Sequence, residues 1–127
     1  MTLDKKISVL IVDKDQAIRE LIKETVSSIQ MKFLMIEASD GQQGAFKADR
    51  QKFDLVICAE RLPKKDGLEL LRVLSTFESS KRPLRFILLA ESPEDPSWRQ
   101  IFSPFSYLKK PFDTALLKQT IEAALKS

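Results

Sequence analysis

The sequence predicts a doubly wound α/β domain: a parallel sheet with helices packed on both faces. Three observations lead there. Short apolar runs alternate five times with segments whose apolar residues recur at helical spacing. The runs are apolar at nearly every position, as in strands buried on both faces, rather than alternating as in strands with one wet face. No linker, repeat or low-complexity stretch divides the 127 residues. Right-handed crossovers then bring every strand's carboxyl end to one edge of the sheet, where the chemistry of such folds collects.

Residues 7–12 (ISVLIV) form the first strand, followed by Asp13-Lys14-Asp15. Ile18, Leu21, Ile22, Val26 and Ile29 mark the first helix, with Asp15 placed to cap it. Residues 33–37 (FLMIE) are the second strand, Ser39-Asp40-Gly41 supplies a turn and a cap, and 42–51 fits a short helix buried through Ala45 and Ala48. The third strand, 55–59 (LVICA), runs into the turn 62–67, where Asp66 can cap a helix over 68–77. Lys64 and Lys65 read as a solvated turn. A polar loop at 79–83 precedes the fourth strand, 85–90 (RFILLA). Prolines at 93, 96 and 104 leave space for two helical turns at most, through Trp98, Ile101 and Phe102, so the fourth helix is expected to be short or irregular. The fifth strand, 105–109, closes with Lys110-Pro111. Asp113 caps a last helix whose apolar face is Leu116, Leu117, Ile121, Ala124 and Leu125.

Composition excludes several functions. The net charge of +3 is spread among nearly as many acids as bases, so nucleic-acid binding by this domain is not expected. No apolar run approaches the length of a membrane span. Cys58 is the sole cysteine and sits in a strand, which makes it a buried, inert thiol and rules out an internal disulfide. There is no histidine, hence neither the commonest general base nor the commonest metal ligand. A reducing cytoplasm is the expected location, and no enzymatic activity is expected.

The stretch 53–67 (FDLVICAERLPKKDG) organises the site. Its strand ends where a reactive carboxylate would be useful and supplies Ala59 instead. A methyl group can neither attack, hold a metal nor move a proton. The carboxyl edge should also gather Asp13 and Lys14 after the first strand and Lys110 after the fifth.

Taken in order, VLIVDKD at 9–15, EASDGQQGA at 37–45, FDLVICAERLPKKDG at 53–67 and YLKKPF at 107–112 resemble the receiver domain of two-component response regulators over essentially the full length, residues 1–127. The resemblance implies a flavodoxin-like, five-stranded parallel sheet of order 2-1-3-4-5 with five helices, as a whole protein or as part of a longer chain. It also implies a cis Lys110-Pro111 bond. In the family, two acids after strand one and an aspartate ending strand three hold Mg²⁺, and that aspartate takes a phosphoryl group. A hydroxyl residue ending strand four and a lysine ending strand five bind the phosphoryl oxygens, and a strand-five aromatic reports the event. Here Asp13 matches the first acid and Lys110 the lysine, with Tyr107 as the aromatic and Arg61 at the position that offers a backbone carbonyl to the metal. Lys14 replaces the second acid, Ala59 the phosphoacceptor and Ala90 the hydroxyl residue.

Magnesium wants several hard oxygen ligands in octahedral array. A divalent ion about 4 Å from a unit positive charge is opposed by roughly 8 kcal/mol at an effective dielectric near 20. Mg²⁺ binding is therefore expected to be lost, leaving no cofactor. The function expected is a pseudo-receiver: a phosphorylation-independent signalling module that meets a protein partner, or a second copy, through the face of helix four, strand five and helix five. Trp98, Phe102 and Tyr107 are expected near the apolar centre of that face and Lys109 on its rim, although Trp98 reads equally as core. An alternative is an anion or nucleotide sensor using Lys14, Lys110 and Arg61. A weaker one is a live phosphoacceptor using Glu60 or Asp15. The plain structural readings are a salt bridge between Asp13 and Lys110, a helix cap at Asp15, a loop acid at Glu91, and a Glu60 that points to the opposite face from Ala59.

Overall fold

Burial divides the strand residues into two sets by parity, and the helices follow that division. In the computed structural model, which describes residues 5–126, the chain runs β1 (Ile7–Val12), α1 (Gln16–Ser27), β2 (Phe33–Ala38), α2 (Gly41–Arg50), β3 (Leu55–Ala59), α3 (Gly67–Ser75), β4 (Phe86–Ala90), α4 (Trp98–Ile101), β5 (Phe105–Lys109), α5 (Thr114–Lys126). All strand pairs are parallel, in the order β2-β1-β3-β4-β5. Val9, Ile11, Leu55, Ile57, Ile87 and Leu89 meet α1 and α5 through Ile22, Val26, Leu117 and Ile121. Their neighbours Leu10, Val12, Val56, Cys58, Phe86 and Leu88 meet α2, α3 and α4 through Ala48, Leu70, Leu71, Leu74 and Trp98. Every residue of β3 and β4 is buried. That two-sided burial explains the continuous apolar runs in the sequence.

Local signals place the helix starts. Asp15 accepts from the Ala17 N–H at 2.9 Å and caps α1. Asp40 caps α2 by accepting from Gln43 N at 2.8 Å. Asp66 and Glu69 form a reciprocal capping box on α3. Asp113 accepts from Leu116 N at 2.7 Å at the start of α5. A Cβ on Gly41 would lie 1.7 Å from the Lys65 carbonyl oxygen. Only glycine lets the start of α2 approach the β3–α3 loop so closely.

The fourth helix is short, as the prolines require: four residues, with no side-chain cap. Both the Lys110-Pro111 and the Ser103-Pro104 bonds are cis, the former as the resemblance implied. One expectation is corrected here. Trp98 and Phe102 are core residues, 6% and 3% exposed, and not the apolar centre of an outer face. The single turn of α4 points Trp98 inward and leaves Arg99 and Gln100 exposed. Phe86 and Phe105 pair across β4 and β5, and the recess beside them is filled by Phe102, 5.7 Å from the Phe86 ring, and Trp98, 6.4 Å from that of Phe105.

Replacing Trp98 by Ala should therefore cost about 3–5 kcal/mol of unfolding free energy, the scale of a large core deletion. Urea denaturation checks this. A loss well under about 1 kcal/mol would place the indole outside the core.

Candidate functional site

Asp13, the first residue beyond β1, is 1% exposed, a costly place for a charge unless both oxygens find donors. They do. Oδ1 accepts from the Asp15 N–H at 2.9 Å, and Oδ2 accepts from Lys110 Nζ at 3.0 Å. The Lys110 side chain is 23% exposed, and its backbone N–H donates to the Ala90 carbonyl at 2.7 Å. Since β3 and β4 lie between β1 and β5, this ion pair spans the strand ends that carry Ala59 and Ala90. Both alanines are buried. Arg19 fixes the turn from outside by donating to the Asp13 carbonyl at 2.6 Å and pairing with Glu37 at 3.0 Å.

The edge thus brings together Asp13, Lys110, Ala59 and Ala90. Lys14, Arg61 and Lys109 are exposed around it. Asp15 is committed to its cap. Arg61 faces Glu91 at 3.5 Å, and at 65% and 41% exposure that pair contributes little. Glu91 is thus the loop acid expected. With Lys110 it lines an open groove of ≈ 490 Å³ completed by Ile18, Leu21, Pro111 and Phe112. Lys64 lies 3.8 Å from Asp40. Among the described residues, no group of three His, Cys, Asp or Glu converges on a point where a metal could sit. Cys58 is fully buried, and burial pushes its thiol far above the usual range, as expected for an inert sulfur.

Glu60 and Ser92 are the residues that sequence reasoning undervalued. The Glu60 carboxylate points to the β4–α4 loop. Oε1 accepts from the Glu91 and Ser92 N–H groups at 2.9 and 3.0 Å, and Oε2 from the Ser92 hydroxyl at 2.9 Å. Partial burial alone would raise the Glu60 pKa, but these hydrogen bonds, helped by Arg61, outweigh it and hold the carboxyl below its ordinary value. From the other side, the Tyr107 hydroxyl donates to the Ser92 carbonyl at 2.7 Å. Its half-buried ring lies 6.2 Å from that of Trp98. The signal for Glu60 was its position. The register pairs Ala59 with Leu89, so residue 60 emerges beside the loop that leaves β4.

A five-stranded sheet in this order, with an acid after β1 and a lysine after β5 meeting above the end of β3, is the arrangement of a receiver domain. The chain belongs to the response regulator receiver domain family, which matches residues 9–122. It is 32% identical over 124 residues to a probable chemotaxis protein CheY of Rhizobium etli, covering 97% of this chain and 95% of that one. It is 27% identical to the alkaline phosphatase synthesis transcriptional regulatory protein PhoP of Bacillus subtilis, but spans only 50% of that protein's length. Two solved structures share the fold. Chemotaxis response regulator CheY4 of Vibrio cholerae has a TM-score of 0.80 at 24% identity, over 94% of this chain and 99% of that one. The receiver domain of sensor histidine kinase PA1611 from Pseudomonas aeruginosa, which holds a magnesium ion in its active-site cleft, has a TM-score of 0.79 at 23% identity, over 97% and 100%. Among the described residues no helix is long and apolar enough to cross a membrane.

Two predictions follow from this geometry. Lys110→Met strands the buried Asp13 charge and should lower stability by about 2 kcal/mol, below the usual range for a fully buried pair because Lys110 is partly wet. Adding Asp13→Asn should recover part of that loss. A double-mutant cycle in urea tests the coupling, and additive losses would refute it. For Glu60, the folded pKa lies below the ordinary value of 4.5. Its contribution is therefore complete above that value and lost as pH falls through the folded one. The stability difference between the native protein and Glu60→Gln should be present at neutral pH and shrink on acidification; a difference independent of pH would contradict this.

Proposed function

We propose that this receiver domain signals without accepting a phosphoryl group and acts through protein–protein contact as a pseudo-receiver. The observation that supports this most is the methyl group of Ala59 at the end of β3, beneath an Asp13–Lys110 pair already closed at 3.0 Å. Phosphoryl transfer needs a nucleophile and, in such sites, a metal to neutralise charge. The residues present do not fit Mg²⁺. Asp13, the buried carboxylate at this edge, has both oxygens engaged, Lys14 stands where the family has its second acid, and Ala59 offers no ligand.

The competing readings have less support. Glu60 and Asp15, the two substitute acceptors, are bound to the β4–α4 loop and to the start of α1. The anion-sensor reading loses Lys110, which Asp13 neutralises, and is left with exposed Lys14 and with Arg61, which faces Glu91 in a weak surface pair. The protein partner, or a second copy, is proposed to meet the α4–β5–α5 face, to which Tyr107 and Lys109 contribute accessible surface while Trp98 and Phe102 support it from beneath. On this reading the domain is not an enzyme, carries no cofactor and works in the cytoplasm.

Intact mass after treatment with acetyl phosphate or phosphoramidate and Mg²⁺ should be unchanged. A stable phosphoryl adduct on any acid of the pocket would overturn the proposal. Ala59→Asp combined with Lys14→Asp should bring back measurable Mg²⁺ binding by supplying two oxygen ligands beside Asp13.

A further inference from the structure

We propose that Glu60 is an internal clasp that holds the β4–α4 loop against Tyr107 and so keeps the β4–β5 face in one arrangement. The inference rests on the reading that no phosphoryl group enters the pocket, and it names what sets the face in its absence.

Ser92 is held at every polar group it has. Its N–H and hydroxyl donate to Glu60, and its carbonyl accepts from the Tyr107 phenol. One carboxylate therefore gathers three donors from two consecutive loop residues, the third being the Glu91 N–H. Hydrogen bonds to an ionised acceptor are stronger than neutral ones. The carboxylate is also aimed in advance. Glu60 N–H donates to the Leu89 carbonyl at 2.9 Å, and its own carbonyl accepts from Gly67 N–H at 2.7 Å. A Cβ on Gly67 would lie 2.2 Å from the Ala59 carbonyl oxygen. The backbone of residue 60 is thus gripped by β4 on one side and by the start of α3 on the other.

The consequence passes through Ser92 to Tyr107. With the loop held, the phenol has a fixed acceptor, and its ring rests beside the buried Trp98. With Glu60 truncated, two backbone N–H groups and a hydroxyl lose their partner together, and no neighbouring carboxylate replaces it: Glu91 faces Arg61 and Glu94 faces Arg99. The loop is then free to move, the Tyr107 acceptor moves with it, and the face loses its single arrangement. Glu60 is a positioning residue for Tyr107.

Tyr107 is the sole tyrosine, so protein grown with 3-fluorotyrosine reports its ring by one ¹⁹F resonance. In Glu60→Ala that resonance should move toward the solvent-exposed position. Amide exchange at Glu91 and Ser92 should rise about tenfold or more, the scale of losing a hydrogen bond to a charged acceptor. Exchange at Leu10 and Ile57 should stay unchanged, which separates release of the loop from general loosening. Glu60→Gln keeps the oxygen that serves both amides and should fall between the two, and it carries the test should the alanine variant fail to fold. An unmoved Tyr107 resonance with unchanged loop exchange in the folded variants would overturn the clasp. The measurement uses protein never exposed to a phosphoryl donor, so failure of the clasp without a phosphoryl adduct leaves the proposed function standing, and an adduct removes that function whatever the clasp does.

Discussion

The constraint on which this structure depends is burial on both faces of its central strands. Val9 to Val12, Leu55 to Ala59 and Phe86 to Ala90 are at most 1% exposed. Burial on that scale forces helices onto both sides of the sheet, and parallel strands supply them through their crossovers. It also leaves the carboxyl ends as the place where polar side chains can meet. Asp13, Glu60 and Lys110 each stand one residue past the end of a strand. The site is a by-product of where the core stops.

At that edge the electrostatics are closed. A carboxylate as buried as Asp13 persists because an amide and an ammonium hold its two oxygens. Lys110 reaches it from β5 above two strands that end in alanine. In the proposed function this pair is structural, joining the first strand to the last, and the part of the edge that bears on signalling lies one residue further along, at Glu60. On that reading the loop is set by the charge of the Glu60 carboxylate, present at neutral pH.

Much of the fold was legible in the sequence because strand burial, capping aspartates and prolines are local signals. The strands begin and end within one residue of expectation, and Asp15, Asp40, Asp66 and Asp113 all cap as read. The Asp13–Lys110 bridge was legible too, since both residues follow strands whose ends converge. Trp98 and Phe102 were misplaced because four helical residues carry no usable periodicity, and because the recess they fill is built by Phe86 and Phe105 on two different strands. Glu60 was set aside by strand parity. Parity holds inside a strand and lapses one residue past its end, where the side chain is free to turn toward the neighbouring loop. Ser92 gave no local signal: its role exists only through Glu60 and Tyr107, 32 and 15 residues away.

The central claim is that the β4–β5 face is set by internal contacts and not by chemistry at the end of β3. Amide and ¹⁹F-tyrosine NMR spectra recorded with and without Mg²⁺ and fluoroberyllate, a non-covalent phosphoryl mimic, test it most directly. The account predicts that Glu91, Ser92 and the Tyr107 ring keep their resonances throughout the titration. Saturable shifts at those three positions would contradict it.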